Sequence, residues 1–263
     1  MIPKIIHYCW FGGNPLSELA QKCIASWKKY FPDYEIREWN ELNYDINKIP
    51  YTNEAYNARK YAFVSDYARF DILYQYGGIY FDVDVEVIKP FDDILKDGGF
   101  MGFELTKTLG IGCNAGLGIV YQILEFYATL HFVNHDGSYN THTVVEYVTT
   151  ILKKYGLKME NTIQQFDGFF VYPTEYFCPK DYGTGILNIT KYTYTIHHFA
   201  GSWLENPQIK FNNRVYKIYA LFGKNTFSKL LISAMYFVKH LFEDGLVNTI
   251  RLYAKIVKVK RNA

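Results

Sequence analysis

The sequence predicts an α/β protein, and three observations carry that reading. Short apolar runs of strand length alternate with helix-periodic segments as far as about residue 200. The longest helical pattern stops at a glycine pair, Gly77-Gly78, and a period-two alternation begins directly after it. At 263 residues with 21% charged side chains, the chain has enough length and apolar content for one sizeable core, or for one core with an appendage.

The elements follow in order. Residues 2–11 read as a buried strand closed by Gly12-Gly13. Ser17 suits the cap of a helix that runs to Tyr30, with Leu19, Cys23, Trp27 and Tyr30 on its apolar face. Pro32-Asp33 ends it, residues 34–39 form a second short strand, and residues 40–53 are polar and irregular. Residues 59–76 form the long helix. Residues 79–87 form the alternating strand, and Pro90 closes it. Further strands are expected at residues 98–104, 117–120, 169–172 and 193–198, with helices at 119–132 and 143–155. Between the first two of these strands, the segment from Gly110 to Gly116 is glycine-rich. It lacks the Gly-Lys-Ser/Thr ending of a phosphate loop, so a P-loop NTPase is discounted.

The chemistry concentrates around the glycine pair. On the alternating strand Ile79, Phe81, Val83, Val85 and Val87 face one way, and Tyr80, Asp82, Asp84 and Glu86 the other. Asp82 and Asp84 therefore share a face about 7 Å apart. Two carboxylates that close repel unless a cation sits between them or they do different jobs. Oxygen ligands of this kind suit a hard divalent ion that also holds a diphosphate. Asp66 and Arg69 stand three apart on the preceding helix, on one face, which fits either a solvated ion pair or a cleft shared with the two aspartates. Open α/β sheets bind ligands beyond the carboxyl ends of their strands, which puts Trp10, Asp82 and Asp84 on one rim.

The run from Ser65-Asp66 through Arg69 to Gly77-Gly78-Ile79-Tyr80-Phe81-Asp82-Val83-Asp84 resembles the sugar-nucleotide-binding core of Och1-like glycosyltransferases, a family related to the glucosylating domains of the large clostridial toxins. The opening Ile2-Pro3-Lys4-Ile5-Ile6-His7 with Trp10 is similar to that family's first strand. His198-Phe199-Ala200-Gly201-Ser202-Trp203 resembles its closing His-x-x-x-Ser-Trp motif. The resemblance covers roughly residues 1–205. It implies a GT-A-type fold, a nucleotide-sugar donor (UDP-linked), a retaining transfer and Mn²⁺ or Mg²⁺ as cofactor. Asp84 is then the first metal ligand, with His198 and Asp82 beside it, and Asp82 bridges to ribose or sugar. Asp66 and Arg69 contact the donor sugar or a phosphate, Trp10 stacks on the base, and Ser202 and Trp203 close over the diphosphate. Alternation alone leaves open which of His197 and His198 faces the metal. Asn114 and His142 are the candidates on the acceptor side. No side chain stands out as nucleophile or base.

Two other classes compete. Phe81-Asp82-Val83-Asp84-Val85 also fits a haloacid-dehalogenase-type phosphatase with Asp82 as nucleophile, although that class needs a later Lys and a paired acidic motif. A non-catalytic sugar-binding module is the other. The retained acidic and histidine residues favour a transferase.

Composition bounds the setting. The 25 Tyr and 20 Phe suit sugar stacking or an aromatic core equally. Cys9, Cys23, Cys113 and Cys178 have no paired spacing, so a reducing compartment without disulfides is expected. No signal peptide or membrane-spanning run appears. Residues 214–263 hold ten Lys or Arg against Glu243 and Asp244, in a chain of net charge +2. With Leu230, Ala234, Phe237 and Leu241 at helical intervals, this stretch reads as a basic amphipathic extension. The expected division is a catalytic domain at 1–205 and a helical extension at 206–263. The extension suits an anionic membrane surface, and no nucleic-acid motif accompanies its charge. Together these imply a cytoplasmic enzyme, peripheral at the inner membrane face, that passes sugar to a glycan or lipid-linked acceptor in bacterial surface-polysaccharide synthesis.

Overall fold

The computed structural model describes residues 1–104, 107–166, 169–201 and 206–261. The first elements are β1 (Ile5–Cys9), α1 (Glu18–Tyr30), β2 (Glu35–Trp39), α2 (Pro50–Asn57), α3 (Tyr61–Tyr76) and β3 (Gly78–Tyr80). They continue with β4 (Val85–Val87), α4 (Asp92–Leu95), β5 (Gly99–Glu104), β6 (Lys107–Cys113), α5 (Gly118–Ala128) and α6 (Val144–Lys154). Next come β7 (Gln164–Phe166), β8 (Phe169–Tyr172), α7 (Thr174–Phe177) and β9 (Thr195–His197), and the helices α8 (Asn206–Phe222) and α9 (Thr226–Arg261) end the chain.

The fold is a mixed α/β sheet of seven strands in the order β2-β1-β3-β6-β5-β8-β7, with helices around it, and a separate antiparallel pair β4-β9. β1 lies parallel to both β2 and β3, as successive α-linked strands do. β6 runs antiparallel to its neighbours β3 and β5.

Local sequence explains several boundaries. Ser17 caps α1, its hydroxyl accepting from the Ala20 amide, and Cys23 and Trp27 are fully buried from that helix. Glu146 reaches back to the Thr143 amide at the start of α6. The polar stretch after β2 is not wholly irregular: Pro50, with its fixed φ and missing N–H, starts α2 there. The expected strand at 117–120 is instead the entry to α5, because Gly116 (φ 72°) turns the chain and its amide bonds to the Tyr74 carbonyl.

Two features set up the site. His7 is fully buried at the centre of β1, where Trp39 Nε1 donates to its Nδ1 (3.1 Å) and its Nε2 contacts the Gly77 carbonyl (2.9 Å). Burial holds the imidazole down to about 4, so it stays neutral and ties β2 to the end of α3. Gly77 and Gly78 both have positive φ, and a Cβ at Gly78 would lie 2.6 Å from the Ile5 carbonyl oxygen. The glycine pair thus lets α3 end hard against β1 and feed directly into β3, which pairs beside it.

The chain divides into two compact units, one of residues 1–182 and 187–205, the other of residues 183–186 and 206–263. In the second, Phe211 and Val215 of α8 pack on Ile232 of α9, and Phe211 meets Tyr236 edge-on. α9 contains a break at Gly245 (φ 76°, ψ 163°). Leu221, Phe222, Phe227, Leu230 and Phe242 are exposed on this unit. Among the described residues, no helix is long and apolar enough to cross a membrane.

Candidate active site

The acidic motif does not lie on one continuous strand. The chain leaves the seven-stranded sheet after Tyr80, turns with a Val85 N–H to Asp82 carbonyl bond (2.9 Å), and enters the small sheet at Val85. The apolar half of the expected alternation still packs as one face, since Ile79, Phe81 and Val87 are buried with Val83 and Val85 against the same cluster. The expectation of a shared acidic face is corrected. The intervening turn gives Asp82 and Asp84 different neighbours.

Asp82 belongs to an arginine network. Arg69 Nη1 meets Asp82 Oδ2 at 3.1 Å, and Nη2 meets Asp66 Oδ1 at 2.9 Å. Nε donates to the Ser65 carbonyl one turn earlier in α3, and the guanidinium lies over the Tyr80 ring. The pair on α3 is therefore not a solvated one: Asp66 and Arg69 are 8% and 5% exposed. Burial raises the Asp66 carboxyl to about 7, and Asp82 reinforces the shift while Arg69 opposes it. Burial disfavours the Arg69 cation, but Asp82, Tyr80 and Asp66 more than offset that and hold its pKa well above the usual range. Asp82, the nucleophile that a haloacid-dehalogenase-type phosphatase would use, is held by this guanidinium.

Asp84 belongs to a histidine cluster. Its Oδ2 accepts from the Ala200 amide (2.8 Å), and its Oδ1 lies 3.3 Å from His197 Nε2. The β4–β9 register, which pairs Val85 with His197, makes this contact. Burial works against the Asp84 charge, but His197 and the Ala200 amide bring the carboxyl down to about 2. Burial likewise opposes the His197 cation, and Asp84, Cys178 and Glu104 hold its pKa well above the usual value.

The histidine expected beside Asp84 is therefore replaced by its neighbour. His198 points away from Asp84: its Nε2 meets Glu86 Oε2 at 2.8 Å, and Glu86 also takes Lys22. The alternation of β9 sends the two rings to opposite sides, and only the pairing with β4 decides which one meets the motif.

Glu104, at the end of β5, and Cys178 were not legible as site residues. Their ligand atoms and that of His197 lie within 4.8 Å of one another. With Arg69 and Asp82 they line one cavity of about 40 Å³, the size of an ion with a water or two. Glu104 Oε2 is buried there without a hydrogen-bond partner. Burial pushes the Cys178 thiol up, so it stays protonated, which leaves the Glu104 carboxylate and the His197 imidazole of that group, with Asp84 on the other side of the imidazole. That set, with one orphaned carboxylate oxygen, fits a divalent cation. All four cysteines are free.

The other candidates are more dispersed. Trp10 follows β1, is partly buried, and donates from Nε1 to the Asn14 carbonyl (2.6 Å). Asn114, after β6, and His142, before α6, are exposed, and no described contact joins either to the acidic residues. His142 instead lies 3.4 Å from Glu146. Ser202 and Trp203 lie outside the described residues.

Residues 17–100 match the family described as the glycosyltransferase sugar-binding region containing a DXD motif. Asp66, Arg69, Asp82 and Asp84 all fall in that stretch. This segment is similar to the sugar-binding region of DXD-motif glycosyltransferases. Similar proteins include inositol phosphoceramide mannosyltransferase 3 of Schizosaccharomyces pombe, 33% identical over 36% of this chain and 27% of the relative. Mannosyl phosphorylinositol ceramide synthase SUR1 of Saccharomyces cerevisiae is 29% identical over 57% of this chain and 38% of the relative. The chain thus spans well under half the length of these relatives. Among solved structures, PaToxG glycosyltransferase is similar over 58% of this chain and 68% of its own, with 20% identity and a TM-score of 0.45.

Proposed function

We propose that this chain transfers a hexose from a nucleoside-diphosphate donor to a lipid-linked or glycan acceptor, assisted by a divalent cation. The observation that carries the reading is the pair of charged networks flanking one turn, Asp66–Arg69–Asp82 on one side and Asp84–His197–Glu104 on the other. Arg69 holds Asp82 in place so that its carboxylate can accept from ribose or sugar hydroxyls. Asp84 and His197 would hold the cation. A divalent ion held there, Mn²⁺ or Mg²⁺, would supply charge neutralisation for the departing diphosphate. Trp10 stacks on the base, and Ser202 and Trp203 close over the diphosphate as the family resemblance implies. Asn114 and His142 remain the acceptor-side candidates. The transfer is proposed to retain anomeric configuration, with no side chain assigned as nucleophile.

The relatives' names supply the finer proposal of mannose as the sugar and an acceptor carried on lipid. A surface-polysaccharide intermediate built on lipid makes the same demand. The second unit supports docking on an anionic bilayer, because exposed Phe222, Phe227, Leu230 and Phe242 accompany a strong excess of Lys and Arg. Each basic residue near such a surface adds about 1 kcal/mol. The proposed location is peripheral, at the cytoplasmic membrane face.

A panel of UDP- and GDP-linked hexoses tests the reaction. The expected result is release of nucleoside diphosphate that chelation stops and Mn²⁺ or Mg²⁺ restores. Silence across the panel, with no nucleotide binding, would refute it. Co-sedimentation of the full chain with anionic vesicles at low salt tests the docking, and protein that stays in the supernatant would refute that part alone.

A further inference from the structure

We propose that Glu104 is a positioning residue: it orients the His197 imidazole and thereby shapes the cation site at Asp84. The inference rests on the proposed metal-assisted transfer. Glu104 ends β5 of the seven-stranded sheet, whereas Asp84 and His197 are brought together by the small β4–β9 sheet. The imidazole sits between carboxylates from these two sources. Its Nε2 is 3.3 Å from Asp84 Oδ1, and its Nδ1 is 3.4 Å from Glu104 Oε2.

Neither contact is a closed hydrogen bond, and Glu104 Oε2 has no other partner although it is buried. A buried carboxylate oxygen without a donor costs stability, so packing does not account for it. An orienting role does. With a cation bound at Asp84, a proton kept on Nδ1 toward Glu104 would leave the Nε2 lone pair free to ligate it. A carboxylate behind a ligating histidine fixes the ring and the tautomer in this way. Without Glu104 the ring is free to swing onto Asp84 and occupy the oxygen that the cation needs. The strand supports this geometry: Phe100, Met101 and Phe103 of β5 are buried, which fixes where the strand end delivers its carboxylate.

The test is a Mn²⁺ titration of the full chain without donor, followed by the electron paramagnetic resonance of free Mn²⁺. Glu104→Gln and Glu104→Asp are compared with wild type, alone and combined with His197→Gln. The expected result is a loss of Mn²⁺ affinity of roughly 10–100-fold in Glu104→Gln and a smaller one in Glu104→Asp. Once His197 is replaced, substitution of Glu104 should have little further effect. At saturating Mn²⁺ the donor KM should stay near wild type. Wild-type Mn²⁺ binding with unchanged affinity in Glu104→Gln would overturn the positioning role and leave the transferase reading intact. So would a Glu104 effect that persists in full without His197, or loss of the fold in both Glu104 variants. A wild-type chain that binds no Mn²⁺ and hydrolyses no donor would instead fail the underlying reading.

Discussion

Asp82 and Asp84 are two residues apart and sit in different electrostatic environments. Asp82 is tied to a buried arginine on α3, in a network that also holds Asp66. Asp84 is tied to β9 through His197 and the Ala200 amide. The first environment is anchored by the buried Asp66–Arg69 pair, and Arg69 and Asp82 line the cavity. From the second network His197 and Glu104 line the same cavity, and Glu104 Oε2 is unpartnered there. A single turn separates a carboxylate balanced by an arginine from one paired with a histidine and a backbone amide. Like charges that close are tolerated because each has its own counter-ion from a different element.

Several substitutions would break or sharpen this contrast. Arg69→Ala should have the largest effect, because it leaves the buried Asp66 and the partly buried Asp82 without their cation. Urea unfolding is expected to show a loss of about 3–5 kcal/mol. Little change would mean that the network is solvated. Asp84→Asn should act on the reaction rather than on the fold. Transfer is expected to fall on the order of 10²–10³-fold, the scale of losing one preorganised electrostatic group, with circular dichroism unchanged. Normal turnover in that variant would remove Asp84 from the mechanism.

Trp10→Ala should weaken donor nucleotide binding by about 1–3 kcal/mol if the ring stacks on a base. Isothermal titration with the nucleoside diphosphate measures this, and unchanged affinity would make Trp10 a packing residue only. Asp66 gives the smallest effect, one of pH. Its folded-state carboxyl is raised to about 7 by burial, so the folded state holds that proton more tightly than the unfolded chain does. The stability linked to it is fully present below the ordinary carboxylate range and is lost as pH rises toward about 7. Asp66→Asn removes that dependence, so its Tm should gain on wild type by roughly a few degrees between pH 5 and 8. A constant difference across that range would contradict the raised pKa.

What was legible in the sequence divides along the same line. The α3 side could be read locally. Helical spacing put Asp66 and Arg69 on one face, and Gly77-Gly78 marked the junction with β3. Ser17 likewise announced α1 through its own hydroxyl. The β9 side could not be read that way. The choice of His197 over His198 depends on a strand pairing across more than a hundred residues, and alternation fixes only that the two differ. Glu104 had one local signal, an acid ending an otherwise apolar strand. Cys178 had none. The turn at 82–85 was hidden because the apolar residues around it keep their period through it.

The most direct test of this division of labour is a Mn²⁺ titration of Asp82→Asn and Asp84→Asn side by side, with nucleoside diphosphate present. The expected result is that Asp84→Asn loses Mn²⁺ binding, whereas Asp82→Asn keeps it within a few fold and loses donor hydrolysis. Equal loss of Mn²⁺ in both variants, or loss only in Asp82→Asn, would contradict separate roles for the two carboxylates.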